Sequence, residues 1–174
     1  MKNYFTVLVI LLISGSAYSQ QKADSFTWDT QKFDKTTLMF LDVPYNKSKR
    51  DSTDYLTITV ATNKLKPQPD FISIVVPDNI AEAEGMIITF SNKKVSQDND
   101  NSISFKVNFQ NRENGDCTAK IIDGYITNDQ GEKTDVFKKF LEFSYAHFSF
   151  AYADGTRKSV AVPLTSFQDQ YKKL

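Results

Sequence analysis

Short runs of alternating apolar and polar residues follow one another along this chain, each bounded by a polar turn. Residues 102–109 are the clearest. Ile103, Phe105, Val107 and Phe109 share one parity and Ser104, Lys106 and Asn108 the other, the period-2 signature of a half-buried strand. Residues 55–60 alternate likewise, with Leu56, Ile58 and Val60 opposite Tyr55, Thr57 and Thr59. Residues 37–43 form an apolar run that Pro44 ends. Residues 71–76 form another, closed by Pro77, and residues 86–90 follow Gly85 as a third. A strand over residues 117–122 is expected. Residues 143–152 read as a long strand with Phe148 and Phe150 on one face. Asp154 and Gly155 supply a turn from which residues 159–162 return, which predicts a hairpin.

Two segments have helical character. Thr134 can cap residues 135–141, and Thr165 or Ser166 can cap a C-terminal run in which Phe167, Tyr171 and Leu174 form one apolar stripe. Strands do not alternate with helices, so a parallel α/β sheet is disfavoured. About eight antiparallel strands predict an all-β fold, a β-sandwich or jelly-roll-like domain with one or two short helices, one of them C-terminal. The 14 Phe and 8 Tyr suit an aromatic core between two sheets.

The N-terminus has a different pattern. Lys2 is followed by seven consecutive apolar residues, Val7 to Ile13, and Ala17 and Ser19 place small residues where a signal peptidase reads. Residues 1–19 are therefore expected to be a cleaved secretory signal and residues 20–174 a single domain. The apolar run falls short of the roughly 20 residues that span a bilayer, and no transmembrane segment is expected after cleavage. The expected location is outside the cytoplasm, in the periplasm, cell envelope or extracellular space.

Charge and composition exclude several chemistries. Lys and Arg number 21, and so do Asp and Glu, which leaves no basic excess for nucleic acid. The chain has one His and one Cys. A zinc site needs more nitrogen or sulfur ligands than these, and a nucleophile pair lacks its surrounding motifs. Residues 98–102 offer alternating oxygen ligands, but Ile103 and Phe109 occupy the positions where a calcium loop carries Gly and Glu. No metal, cofactor or catalytic residue is expected. Cys117 cannot close an internal bridge. It is read as a buried thiol, an intermolecular disulfide or a reactive group, and Asp116 beside it disfavours the last.

Several segments in order carry a resemblance. Pro77, Asp78, Asn79 and Ile80 precede Glu84, Gly85 and the apolar residues 86–90. Gly115, Asp116, Cys117, Thr118 and Ala119 follow, then Lys138, Lys139 and Phe140. The chain closes on Val162, Pro163, Leu164, Thr165, Ser166 and Phe167 with a short helical run. This order resembles the invasion-associated locus B family over about residues 55–174. The resemblance implies an exported β-sandwich, associated with the envelope and with host-cell invasion in some members, and no catalytic residues. Ser166 stands where that family has glycine, and the family's earlier cysteine is missing here.

The function expected is that of an exported, non-catalytic binding or interaction module, acting in host or surface interaction. A carrier of a small apolar ligand and a carbohydrate-active enzyme are the alternatives. The partner would be a protein or envelope component, and the chain a monomer or weak dimer. Interaction is expected at the polar loops: Lys47, Lys49 and Arg50 in residues 46–54, Asp98 and Asp100 in residues 96–102, and Arg112 in residues 111–116.

Overall fold

The structure, a computed structural model, describes residues 26–47, 53–76, 79–94, 101–113, 116–128 and 130–174. The expected signal peptide lies outside the described residues.

Twelve strands and two α-helices are described. In chain order the strands are β1 (Asp29–Lys32), β2 (Thr36–Lys47), β3 (Thr53–Asn63), β4 (Pro69–Val76), β5 (Met86–Ser91) and β6 (Ile103–Val107), then β7 (Phe109–Glu113), β8 (Asp116–Ile122), β9 (Tyr125–Thr127), β10 (Lys133–Asp135), β11 (Tyr145–Ala151) and β12 (Arg157–Pro163). The helices are α1 (Val136–Glu142) and α2 (Thr165–Tyr171). Six strands form one sheet in the order β1-β2-β3-β4-β8-β7, four form a second in the order β12-β11-β5-β6, and β9 pairs β10 in a small ribbon. Every pairing is antiparallel. The all-β, sandwich-like fold with a C-terminal helix is the one the alternation predicts.

The inward parities form one core. Met39, Leu41 and Val43 of β2, Leu56, Ile58 and Val60 of β3, and Ile72, Ile74 and Val76 of β4 come from the first sheet. Met86, Ile88, Phe90, Phe148, Phe150, Val160 and Val162 come from the second. Each large apolar side chain so buried stabilises the fold by about 1.5–3 kcal/mol relative to exposure. One end is aromatic. Phe167 of α2 packs on Trp28 with ring centroids 4.8 Å apart, and on Phe140 of α1 at 5.7 Å. Gln168 ties the helices together, its Nε2 donating to the carbonyls of Phe140 and Phe143 at 3.2 and 2.9 Å.

Four local expectations change. Residues 102–109 are not one strand: β6 ends at Val107 in the second sheet, and Phe109 opens β7 in the first. One face holds apolar residues throughout because the chain turns a corner between sheets while keeping its inward parity, which a single bent strand and two short strands share. Pro44 does not end β2, which continues to Lys47 with a register irregularity between Pro44 and Asn46. The bonds Phe33 N to Thr36 O and Lys64 N to Lys35 O fix the parity of β2, so even-numbered residues aim their peptide groups away from β3. The nitrogen of Pro44 thus faces outward, and no ladder bond is lost. The cap of α1 is Asp135, whose Oδ1 accepts from Lys138 N at 2.8 Å, and not Thr134. No side chain caps α2, and Leu174 lies beyond it, 41% exposed, so the C-terminal stripe reduces to buried Phe167 and half-buried Tyr171.

Candidate functional site

The sequence-predicted interaction residues are only partly placed. Lys49, Arg50, Asp98 and Asp100 lie outside the described residues. Lys47 ends β2, paired with Thr53, and Arg112 lies in β7, paired with Cys117. Both belong to the same end of the six-stranded sheet. Four strand spacings separate them, roughly 19 Å across the sheet, so they do not converge. Cys117 is fully buried in β8, where a small hydrophobe packs, and a bridge to a second chain would first require that strand to open.

His147 is 7% exposed in β11. Its Nε2 faces the carbonyl of Lys93 at 3.1 Å, and because a carbonyl only accepts, that nitrogen carries the proton. Its ring also contacts Tyr145, with centroids 6.3 Å apart. The imidazole fastens the segment after β5 onto β11. Cys117 sits in the other sheet, so the two do not form a nucleophile pair. Glu84 pairs with Arg157 at 2.5 Å and joins the turn before β5 to the start of β12. Among the described residues, no cluster of three His, Cys, Asp or Glu could hold a metal ion, and no helix is long and apolar enough to cross a membrane.

The feature that invites a ligand is a cleft of about 380 Å³ along one side of the sandwich. Topology explains why it is there. The consecutive strands β6 and β7 carry the chain from one sheet to the other at the opposite side. On this side the end strands are β1–β2 and β12, and β1 covers β2 only from Thr37 to Phe40. Beyond Phe40 the edge of β2 has no strand neighbour among the described residues. Val43, Pro44 and Tyr45 of β2 therefore line one wall, and residues 158–161 with Pro163 of β12 line the other. Phe26, Tyr145 and Lys94 complete the lining.

Hydrogen-bond parity determines what β12 offers the cleft. Leu164 N donates to Ser144 O at 2.8 Å and Tyr152 N to Thr156 O at 2.8 Å. With the β11–β12 register, Lys158, Val160 and Val162 exchange their bonds with β11. Ser159 and Ala161 thus aim their N–H and C=O groups outward along the open edge, and no other strand among the described residues pairs them. The Ser159 hydroxyl instead accepts from Ser149 at 2.9 Å. The electrostatics are one-sided. Lys94 and Lys158 line the cleft, no Asp or Glu among the described residues does, and neither lysine pairs with a carboxylate among them.

A second cleft, of about 420 Å³, is lined by Thr37, Thr62, Lys64, Lys66, Gln68 and Tyr171 among others. Part of its chemistry is already engaged, though the buried Gln68 Oε1 has no hydrogen-bond partner among the described residues. Lys66 bonds Asp70 at 2.9 Å and lies 3.6 Å from Asp123, and the Asp70 bond raises its pKa. Tyr171 donates to Pro67 O at 3.4 Å, and burial pushes its phenol up.

The β2–β12 cleft was missed because its residues look ordinary in sequence. The available signals were the two prolines. Pro44 inside one strand and Pro163 ending another mark edges, and Lys158 sits inside an apolar strand.

No family model matches the sequence, and no curated protein matches it. Among solved structures, the chain is similar to invasion associated protein B from Bartonella henselae. The likeness covers 85% of this chain and 90% of that one, with a TM-score of 0.50 and 8% sequence identity. At that identity the likeness is one of fold. It agrees with the architecture expected from the resemblance and carries over no site residue.

Proposed function

We propose that this chain is an exported, non-catalytic β-sandwich that works as a binding module at the cell envelope or outside the cell. A shared fold does not by itself transfer function. The observation that carries the reading is the open side of the sandwich, where, among the described residues, two strand edges without a neighbour and two lysines without a carboxylate partner border one cleft. The N-terminal pattern of residues 1–19 supports export.

Site-specific photocrosslinking in the native host tests this. A crosslinker at Tyr145, in the cleft, should give discrete adducts, whereas one at Thr30, on exposed β1 away from it, should not. Equal adduct patterns from both positions, or none from Tyr145, would overturn the binding-module reading. Edman sequencing of the mature protein from the envelope or medium should begin at Gln20. A chain found intact in the cytoplasm would overturn the exported part.

A further inference from the structure

We infer that the outer edge of β12 docks an extended, acidic peptide segment of a partner by strand addition. This rests on the binding-module reading and specifies the occupant of its cleft.

Three observations point to a strand rather than a compact ligand. The outward N–H and C=O groups of Ser159 and Ala161 repeat at the two-residue spacing that an incoming strand reads. The cleft is lined by consecutive residues of both β12 and β2, so it lies along the strands. The β2 wall is the weaker template, because Pro44 sits at an outward position and has no N–H to offer. A peptide seated here would extend the four-stranded sheet, with Ser159 and Ala161 as its backbone partners and Pro163 ending the register.

Charge selects the chemistry of that strand. Lys158 lies on the inward parity of β12 with Val160, and Lys94 borders the same cleft; neither has a carboxylate partner among the described residues. An acidic residue in the peptide would neutralise them, and an apolar residue two positions away would face Val43 and Tyr45. Edge-to-edge pairing with a second copy is disfavoured by the same charges, because it would bring both copies' Lys94 and Lys158 to one seam. Lysines at open edges prevent self-association in this way.

The test is to pan a library of short random peptides against the intact protein, then measure the affinity of the peptides recovered. The expected consensus is an alternation of apolar and acidic residues. N-methylation of the peptide amides that face β12 should weaken binding by about tenfold or more. Lys158→Glu should act similarly. Ala161→Pro should too, because it deletes an outward N–H without touching the β11 ladder. The N-methylated peptide leaves the protein unaltered, so it decides the matter even if Ala161→Pro does not fold. Peptides that bind unchanged after N-methylation and in Lys158→Glu lie elsewhere. That result overturns strand addition at β12 and leaves the binding-module reading standing. If no peptide is enriched, strand addition falls, and the crosslinking experiment judges the broader reading separately. Concentration-dependent dimerisation that protects the Ser159 and Ala161 amides would make the occupant a second copy and overturn the acidic-peptide assignment.

Discussion

Gly124 ends the turn between β8 and β9, and replacing it with Ala tests how tightly α1 is seated. Its φ is +73°, and a Cβ there would lie 2.8 Å from Cβ of Phe137 and 3.2 Å from the ring of Pro69. Phe137 Cβ is fixed to the backbone of α1 and cannot rotate away. The Gly124 carbonyl also accepts from Val136 N at 2.9 Å and Phe137 N at 3.2 Å, so moving α1 aside would weaken those bonds. Gly155 supplies the control, since its φ is +83° but an added Cβ would meet nothing within 4 Å. The left-handed backbone alone costs a non-glycine residue roughly 1–2 kcal/mol, partly offset by the lower entropy of the unfolded chain. Gly155→Ala should therefore destabilise by about 1 kcal/mol. Gly124→Ala adds an overpacking cost of about 1–3 kcal/mol and should total about 2–4 kcal/mol. Against a domain stability of roughly 5–15 kcal/mol, that is a large fraction. Equilibrium unfolding in guanidinium, monitored by fluorescence of Trp28 against the α2 aromatics, measures both. If Gly124→Ala costs no more than Gly155→Ala, the close seating of α1 on this turn is wrong.

Three further outcomes follow from local contacts. Asp135→Ala should destabilise by about 1–2 kcal/mol in urea unfolding, because its Oδ1 caps α1 and its Oδ2 also accepts from Gln68 Nε2 at 2.9 Å, whereas Thr134→Ala should change stability by no more than about 0.5 kcal/mol. Asp154 should titrate below the usual aspartate value in an NMR pH series, because the Thr156 hydroxyl and N–H donate to its Oδ1 at 2.7 and 2.9 Å. Its contribution to the β11–β12 turn is complete above the unfolded value near ~3.9 and is lost as pH falls through the lower folded value. Thr156→Val should move the titration back up. Cys117, fully buried, should react with a thiol reagent at a rate that tracks global opening and rises in Gly124→Ala; fast modification of the stable native protein would contradict its burial.

The parts of the fold that could be read from sequence are those in which one face is buried and the other solvated. The alternation in β3, the β11–β12 hairpin around Asp154 and Gly155, and the C-terminal helix that buries Phe167 were all legible. Strand β1 was not, because all four of its side chains are exposed and it has no apolar parity to detect. β9 and β10 have 3 residues each, too few to show a period. The corner at Asn108 was hidden because inward parity continues across it. The candidate site was almost illegible for a related reason: an open edge is defined by which strands are missing beside β2 and β12, and that depends on pairings between residues far apart in the chain. The polar loops drew attention instead because their composition is local.

Amide hydrogen exchange along β12 in the isolated monomer tests the open edge most directly. The amides of Lys158, Val160 and Val162, bonded to β11, should exchange slowly, and those of Ser159 and Ala161 rapidly, an alternation at the period of the strand. Uniform protection of all five in the monomer would mean that the edge is already covered, and the docking site with it would be lost.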